Sequence, residues 1–109
     1  MASEVLKVSH TAGVTNSESV LINGASGHTY TILSIFITET AGAAETIDLF
    51  IQDDGGADDY EILSDQAIGA NETFELTTKF VIEGTDHLTA ITASSANIDI
   101  VVSYLDQTL

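Results

Sequence analysis

The stretch that decides the fold is 29–38, which reads Thr-Tyr-Thr-Ile-Leu-Ser-Ile-Phe-Ile-Thr. It is rich in β-branched and aromatic residues, which favour extended strands. Its apolar residues do not recur at the three- and four-residue spacing of an amphipathic helix. Because successive side chains of a strand point to opposite faces, this strand is apolar on both faces. One face carries Leu33, Ile35 and Ile37, and the other carries Tyr30, Ile32 and Phe36.

The same period of two recurs along the chain. Thr46–Gln52 places three aliphatic residues on one face, and short polar segments containing Gly separate most of the strands. Strands repeated about every 8–12 residues indicate a β-sandwich or barrel. We therefore predict one all-β domain over residues 1–109, an antiparallel, jelly-roll-like β-sandwich of eight or nine strands whose order the sequence does not fix. The other predicted strands are Val5–His10, Ser19–Asn23, Tyr60–Leu63, Thr73–Thr77, Phe80–Ile82, Leu88–Ala93 and Ile98–Leu105.

Residues 1–18 have two interpretations. The segment Ser9–Ser19 is polar, small and weakly patterned, as surface loops of this length are. Alternatively, it leaves Met1–His10 as an N-terminal arm that packs on a neighbouring subunit. We expect the loop.

The charge balance excludes whole classes of partner. Seventeen acidic residues face two basic ones, Lys7 and Lys79, for a formal net charge of −15. Proteins bind nucleic acids by displacing counterions with Lys and Arg, and anionic membranes attract basic segments. We therefore expect neither partner. The absence of cysteine removes disulfides and thiolate chemistry.

Residues that carry catalysis are sparse and scattered. His10, His28 and His87 each stand alone at a predicted strand end, without the spacing that puts two imidazoles on one face. Nucleophile elbows, phosphate loops and dinucleotide motifs are missing from the sequence. We predict a protein that is not an enzyme and has no cofactor, catalytic residue or metal ligand.

An Asp/Gly-rich segment is the densest cluster of acids, with four aspartates around two glycines. Oxygen ligands on a flexible loop suit Ca²⁺, although the spacing does not match an EF-hand. A hairpin loop between two strands explains the same residues, because Asp and Gly accept turn conformations. We expect the hairpin. The four acids are Asp53, Asp54, Asp58 and Asp59.

Apolar residues on otherwise polar faces predict a partner surface. Phe50 interrupts the polar face of its strand, and Val101 and Leu105 interrupt that of the last strand. A two-layer sandwich has no third layer to cover a second apolar face, so a homo-oligomer is the simplest partner. A bent sheet that takes these residues inside is the alternative. The candidate interface residues are Tyr30, Ile32, Phe36, Phe50, Val101 and Leu105.

The chain from Tyr30 to Leu105 resembles small virion proteins of tailed bacteriophages, of the capsid decoration (cement) or tail-associated kind. Sequences of this look often carry Pro before Asn-Glu-Thr-Phe, where this chain has Gly69. The resemblance is carried by Y-T-I-L-S-I-F-I-T (30–38), E-T-I-D-L-F-I (45–51), D-Y-E-I-L (59–63), I-G-A-N-E-T-F-E-L (68–76), F-V-I-E-G-T-D-H-L-T-A (80–90) and I-D-I-V-V-S-Y-L (98–105).

This resemblance implies a non-enzymatic structural protein that assembles as a homo-oligomer, typically a trimer on a capsid lattice. It further implies binding to the major capsid protein or another virion protein, and a place on the exterior of the virion after synthesis in the host cytoplasm. Strong negative charge is unwelcome next to packaged DNA, which agrees with an exterior position. The alternatives are a tail- or baseplate-associated structural protein and a calcium- or carbohydrate-binding β-sandwich module.

Overall fold

A computed structural model describes residues 2–108. These residues form nine strands in two antiparallel sheets, and a turn of 3-10 helix, Asp53–Gly55, follows the fourth strand. The predicted all-β sandwich is confirmed. The strands are β1 (Ser3–Val14), β2 (Ser19–Asn23), β3 (His28–Glu39), β4 (Glu45–Gln52), β5 (Asp59–Ile68), β6 (Thr73–Leu76), β7 (Phe80–Glu83), β8 (His87–Thr92) and β9 (Ile98–Thr108).

The strand order is that of a jelly roll. One sheet has the order β1-β9-β3-β6, with β7 also paired to β3, and the other has the order β2-β8-β4-β5. The strand pairs are nested, as they would be in one long hairpin folded over into two sheets. From the outermost to the innermost, the pairs are β1–β9, β2–β8, β3–β6/β7 and β4–β5. In place of a single strand opposite β3, the chain supplies two short ones, β6 and β7.

The core lies between the sheets and consists mainly of aliphatic side chains. Ile32, Ile35, Leu49, Leu88 and Val102 are each fully buried there. Burial of each such side chain is worth about 1.5–3 kcal/mol. These residues come from four strands, two in each sheet, so the core holds the two sheets together.

A β-bulge in β3 resolves why this strand is apolar on both faces. Ile32 lies opposite Tyr104 of β9, and Ser34 lies opposite Ser103, so Leu33 is an extra residue without a partner in β9. A bulge of this kind bends the strand and shifts the side-chain alternation by one residue. It lies at the level of the break between β6 and β7.

The bulge corrects the predicted faces. Tyr30 and Ile32 point into the core on one side of Leu33, and Ile35 and Ile37 do so on the other. Tyr30 is 5% exposed and Ile32 is 0% exposed, so the prediction that they form a subunit interface is wrong. The alternative of a bent sheet holds for these two residues.

Phe50 is a second correction. It is 4% exposed although it lies outside the core cluster, and its neighbour Thr89 in β8 is fully buried as well. On its other side, β5 shifts register twice between Gln66 and Glu61, and bulges of this kind curve a sheet. Residues of the same subunit therefore cover Phe50, and it is not available to a partner.

The first strand is longer than predicted. β1 continues to Val14, whose side chain is fully buried. The predicted loop from Ser9 is therefore wrong in its first half, and residues 15–18 alone connect β1 to β2. None of residues 2–108 lies in a helix long and apolar enough to cross a membrane.

Candidate interaction surface

The outer face of the five-stranded sheet gathers the apolar residues that the core does not use. In β9, Ile100 and Val102 are buried while Val101 and Leu105, on the opposite face, are half-buried. Phe36 of β3 lies directly opposite Val101 and is 39% exposed. Three of the six candidate interface residues, Phe36, Val101 and Leu105, therefore share one face.

Two strands add apolar residues that sequence reasoning missed. Leu6 of β1 lies opposite Leu105 of β9, which in turn lies opposite Thr31 of β3. Thr31 lies opposite Val81 of β7, so the row crosses the sheet from edge to edge. Leu6 is 74% and Val81 is 54% exposed. Sequence reasoning missed these residues because β1 and β7 were not known to belong to this sheet, and the pattern within a single strand does not show which strands are its neighbours.

We call this row and its neighbours the outer stripe: Leu6, Val8, Phe36, Val81, Val101 and Leu105. Polar positions between them are uncharged, namely Thr31, Ser34 and Ser103. The acids of this face border the outer stripe: Glu75 of the edge strand β6 lies opposite Phe36, and Glu4, Glu83 and Asp99 lie near strand ends. Protein interfaces commonly have a charge-poor centre and a polar rim. In a chain of net charge −15, the outer stripe is a surface of that kind.

β1 is also an unprotected sheet edge. Nine of its twelve positions are exposed, and among residues 2–108 only β9 pairs with it. Val5, on the face opposite Leu6, is 47% exposed. Natural proteins protect edges with charges, bulges or short length. The edge strand β5 has acids and two register shifts, and β2 has only five residues. β1 is long, keeps a regular register from Ser3 to Thr11 before a shift near its end, and carries only Glu4 and Lys7 as charges.

At the opposite edge, the sandwich opens into an apolar groove. It lies between β4–β5 of one sheet and β6–β7 of the other, and it has a volume of about 340 Å³. Phe80 and Leu76 are partly buried and pack against the core from this side. The groove is lined by Ile51, Ile62, Leu76, Thr78 and Phe80.

A buried aspartate ties β1 to the rest of its sheet. Asp106 of β9 is 5% exposed and accepts hydrogen bonds from Lys7 Nζ at 2.8 Å and His28 Nδ1 at 2.7 Å. The bond from Lys7 lowers the pKa of Asp106, and the same bond raises the pKa of Lys7. His28 also stacks on Tyr30, with ring centroids 5.7 Å apart. The cluster is structural, because it joins three neighbouring strands.

A second buried carboxylate holds two loops. Glu39, at the end of β3, is 1% exposed. Its Oε1 accepts hydrogen bonds from the backbone amides of Asn71, Gly42 and Ala43, and its Oε2 accepts one from Ala41, at 2.7–3.1 Å. The bond from Asn71, followed by the others, lowers the pKa of Glu39 against the opposing effect of burial. No pattern in the sequence distinguishes this buried acid from the surface acids.

The histidines are not brought together. His10 and His28 lie opposite Val101 and Thr108 of β9, and His87 is in the other sheet. Among residues 2–108, no three His, Asp or Glu side chains are grouped so that they could hold a metal ion.

The aspartates of the predicted hairpin stabilise their own turn. Asp53 accepts bonds from the Asp58 amide at 3.0 Å and the Tyr60 hydroxyl at 3.3 Å, and Asp54 accepts one from Thr85 at 3.1 Å. A shallow depression of about 550 Å³ is lined by Asp54, His28 and other polar residues. The prediction of a hairpin connecting β4 and β5 is confirmed.

No family model and no curated protein matches this sequence. Solved structures match its fold. A protein of Bacillus endospore appendages, described as disulfide-linked pili, is 12% identical, with a TM-score of 0.59 over 99% of this chain and 88% of that one. The capsid of a Helicobacter pylori bacteriophage is 10% identical, with a TM-score of 0.58 over 96% and 93% of the two chains.

A third match is to infectious bursal disease virus, at 10% identity and a TM-score of 0.58. There the alignment covers 97% of this chain but only 32% of the viral one, so this chain spans about a third of its length. Identities this low establish the fold alone. The described residues therefore form a jelly-roll β-sandwich similar to domains found in a bacteriophage capsid, a viral particle and a pilus.

Proposed function

We propose that this chain is a non-enzymatic structural protein of a bacteriophage virion, and more specifically a capsid decoration protein on the outside of the head. The observation that carries the proposal is the outer stripe. A sheet face with a charge-poor apolar centre, on a jelly roll that is otherwise strongly acidic, suits permanent contact with another protein. The fold likeness to capsid and pilus proteins agrees with a role in assembly.

In this role the protein acts by binding. The outer stripe packs on the major capsid protein, and the acidic surfaces remain in water, where salt screens their repulsion beyond about 8–10 Å. A protein that binds the assembled shell but not its separated subunits stabilises the shell by mass action. Copies of the chain associate with one another, and a trimer fits the symmetry of a capsid lattice.

The arrangement of polar groups favours a structural role over catalysis. The two most buried carboxylates, Glu39 and Asp106, are saturated by hydrogen bonds from their own loops and strands. A catalytic acid or base must instead lie within hydrogen-bonding distance of the substrate group whose proton it transfers. The alternative that retains most support is a tail- or baseplate-associated protein, which uses the same surface on a different partner.

Fractionation of phage particles tests the proposal. Particles from a lysate of the producing culture are banded on a density gradient, heads and tails are separated, and the chain is detected with an antibody. We expect it in the head fraction at a fixed ratio to the major capsid protein. Recovery with tails supports the alternative, and recovery only among free soluble proteins contradicts a virion role. Heads lacking the chain should disassemble at a lower temperature.

A further inference from the structure

The two edges of the five-stranded sheet are complementary. One edge, β1, presents exposed apolar side chains on both of its faces, with Val5 on the inner side and Leu6 on the outer side. The other edge, β7, has exposed Val81 on the outer side. On its inner side, Phe80 borders the apolar groove. Within residues 2–108, β7 pairs only with β3, so its second edge is open.

We propose that β1 of one copy adds to the free edge of β7 of the next copy, so that copies join head to tail through a continuous sheet. The occupant of the groove is then Val5 of the neighbouring copy. On the outer side, Leu6 of the neighbour extends the apolar row that ends at Val81. An exposed sheet edge binds an added strand through main-chain hydrogen bonds, while pockets for alternate side chains give specificity.

Charge selects a second copy as the occupant. The chain repels itself over most of its surface, but its only two lysines stand one at each of these edges. β1 carries Glu4 and Lys7, with Lys7 bound to Asp106, and the segment 77–83 carries Lys79 and Glu83, so each edge has one cation and few acids. Two copies therefore meet less repulsion edge to edge than between their strongly acidic surfaces.

The contact is heterologous, because different surfaces meet on the two partners. Such contacts close into a ring or continue as a filament, depending on the rotation between copies. This inference deepens the proposed function, since it names the surface through which copies associate, but its test is made in solution without particles. If the chain is found in virions but its β1 and β7 edges do not cross-link, this inference is overturned and the proposed function is not.

The absence of cysteine allows a clean cross-linking test. Leu6→Cys, Val81→Cys and the double variant are purified in the full chain and treated with a short bismaleimide at the highest soluble concentration. The substituted side chains are 74% and 54% exposed, so the fold is retained, which circular dichroism checks. We expect the double variant to give a ladder of multimers on a denaturing gel. An equal mixture of the single variants should stop at a dimer.

Each other outcome overturns the proposal. Efficient dimers from Leu6→Cys alone mean that β1 pairs with another β1, and a double variant that remains monomeric means that the two edges do not meet. Val20→Cys combined with Val81→Cys is the matched control, since Val20 is 46% exposed but lies on β2 of the other sheet.

Discussion

Glu39 accepts a hydrogen bond of 3.0 Å from the backbone amide of Asn71, thirty-two residues further along the chain. The same oxygen accepts bonds from the amides of the loop that follows β3. One carboxylate therefore fixes two loops at one end of the sandwich. Both loops turn through left-handed backbone at Gly42 and Asn71, so they depend on this support.

Glu39→Gln should lower the thermal stability of the fold at neutral pH, because the amide offers one acceptor oxygen where the carboxylate offers two. The folded-state pKa of Glu39 is lowered, so its stabilising effect is present above the ordinary glutamate pKa of about 4.3. That effect is lost as the pH falls through the folded-state pKa. The difference in melting temperature between wild type and variant should therefore narrow on acidification. Glu75→Gln, on an exposed position of β6, is the control, and an unchanged difference at all pH values contradicts the assignment.

Asp106→Asn should loosen β1. The substitution removes the charge that Lys7 Nζ contacts at 2.8 Å, and this contact ties the side chain of Lys7 in β1 to a buried group of β9. Amide hydrogen exchange should become several-fold faster in β1, with little change in β4 and β8 of the other sheet. Uniform acceleration in all strands would instead mean that Asp106 stabilises the whole domain.

Deletion of Leu33 should leave the domain folded, because Leu33 is the residue of β3 without a partner in β9. Without it, plain alternation keeps Tyr30, Ile32 and Ile35 on the core face. Deletion of Phe36, which is paired with Val101, is the control and should abolish the fold, because Ile37 then turns outward. Loss of a large buried apolar side chain costs about 1.5–3 kcal/mol, against a net stability of about 5–15 kcal/mol for a typical domain. Urea unfolding compares the two variants, and a Leu33 deletion as damaging as the Phe36 deletion would refute the bulge.

Ile35 and Phe36 are neighbours whose side chains lie on opposite faces, at 0% and 39% exposure. Ile35→Ala should destabilise the domain by about 2–5 kcal/mol, because it leaves a cavity in the core. Phe36→Ala should cost about 1 kcal/mol or less, as surface substitutions do. Urea unfolding of the two variants measures the difference, and equal losses would place both side chains in the core.

Glu61→Gln should stabilise the protein at neutral pH by at most about 1 kcal/mol, the scale of exposed charge interactions. Partial burial, and then the charges of Asp48, Asp59 and Asp65, raise the pKa of Glu61. The folded state therefore binds this proton more tightly, and stability is lost as the pH rises through the folded-state pKa. The gain should vanish below about pH 4.3, the ordinary glutamate pKa. Thermal melts at two pH values check this, and a gain that persists in acid contradicts it.

The period-two pattern predicts the strands and the sandwich, because alternation reports directly on a half-buried sheet. The pattern fails at Leu33, because a bulge there changes which face each later residue of β3 points to. The residue types around Leu33 do not reveal the bulge. Of the candidate interface residues, Phe36, Val101 and Leu105 lie on the outer face of the five-stranded sheet. Tyr30 and Ile32 lie in the core, and Phe50 is buried in the other sheet.

Features that bring distant segments of the chain together could not be predicted from the sequence. The groove joins Ile51, Ile62 and Phe80, which neighbour one another only after the sheets have rolled up. Glu39 resembles any surface acid until the loops of 40–44 and 69–72 close over it. The edge-to-edge row from Leu6 to Val81 depends on strand order, which hydrophobic patterning does not encode.

The central claim is that apolar surfaces of this acidic jelly roll join copies of the chain. Sedimentation velocity of the untagged wild-type protein, from micromolar concentration upward, tests it most directly. We predict association that increases with concentration and strengthens when salt screens the charge of −15. A single monomeric species at every concentration and ionic strength would contradict the claim.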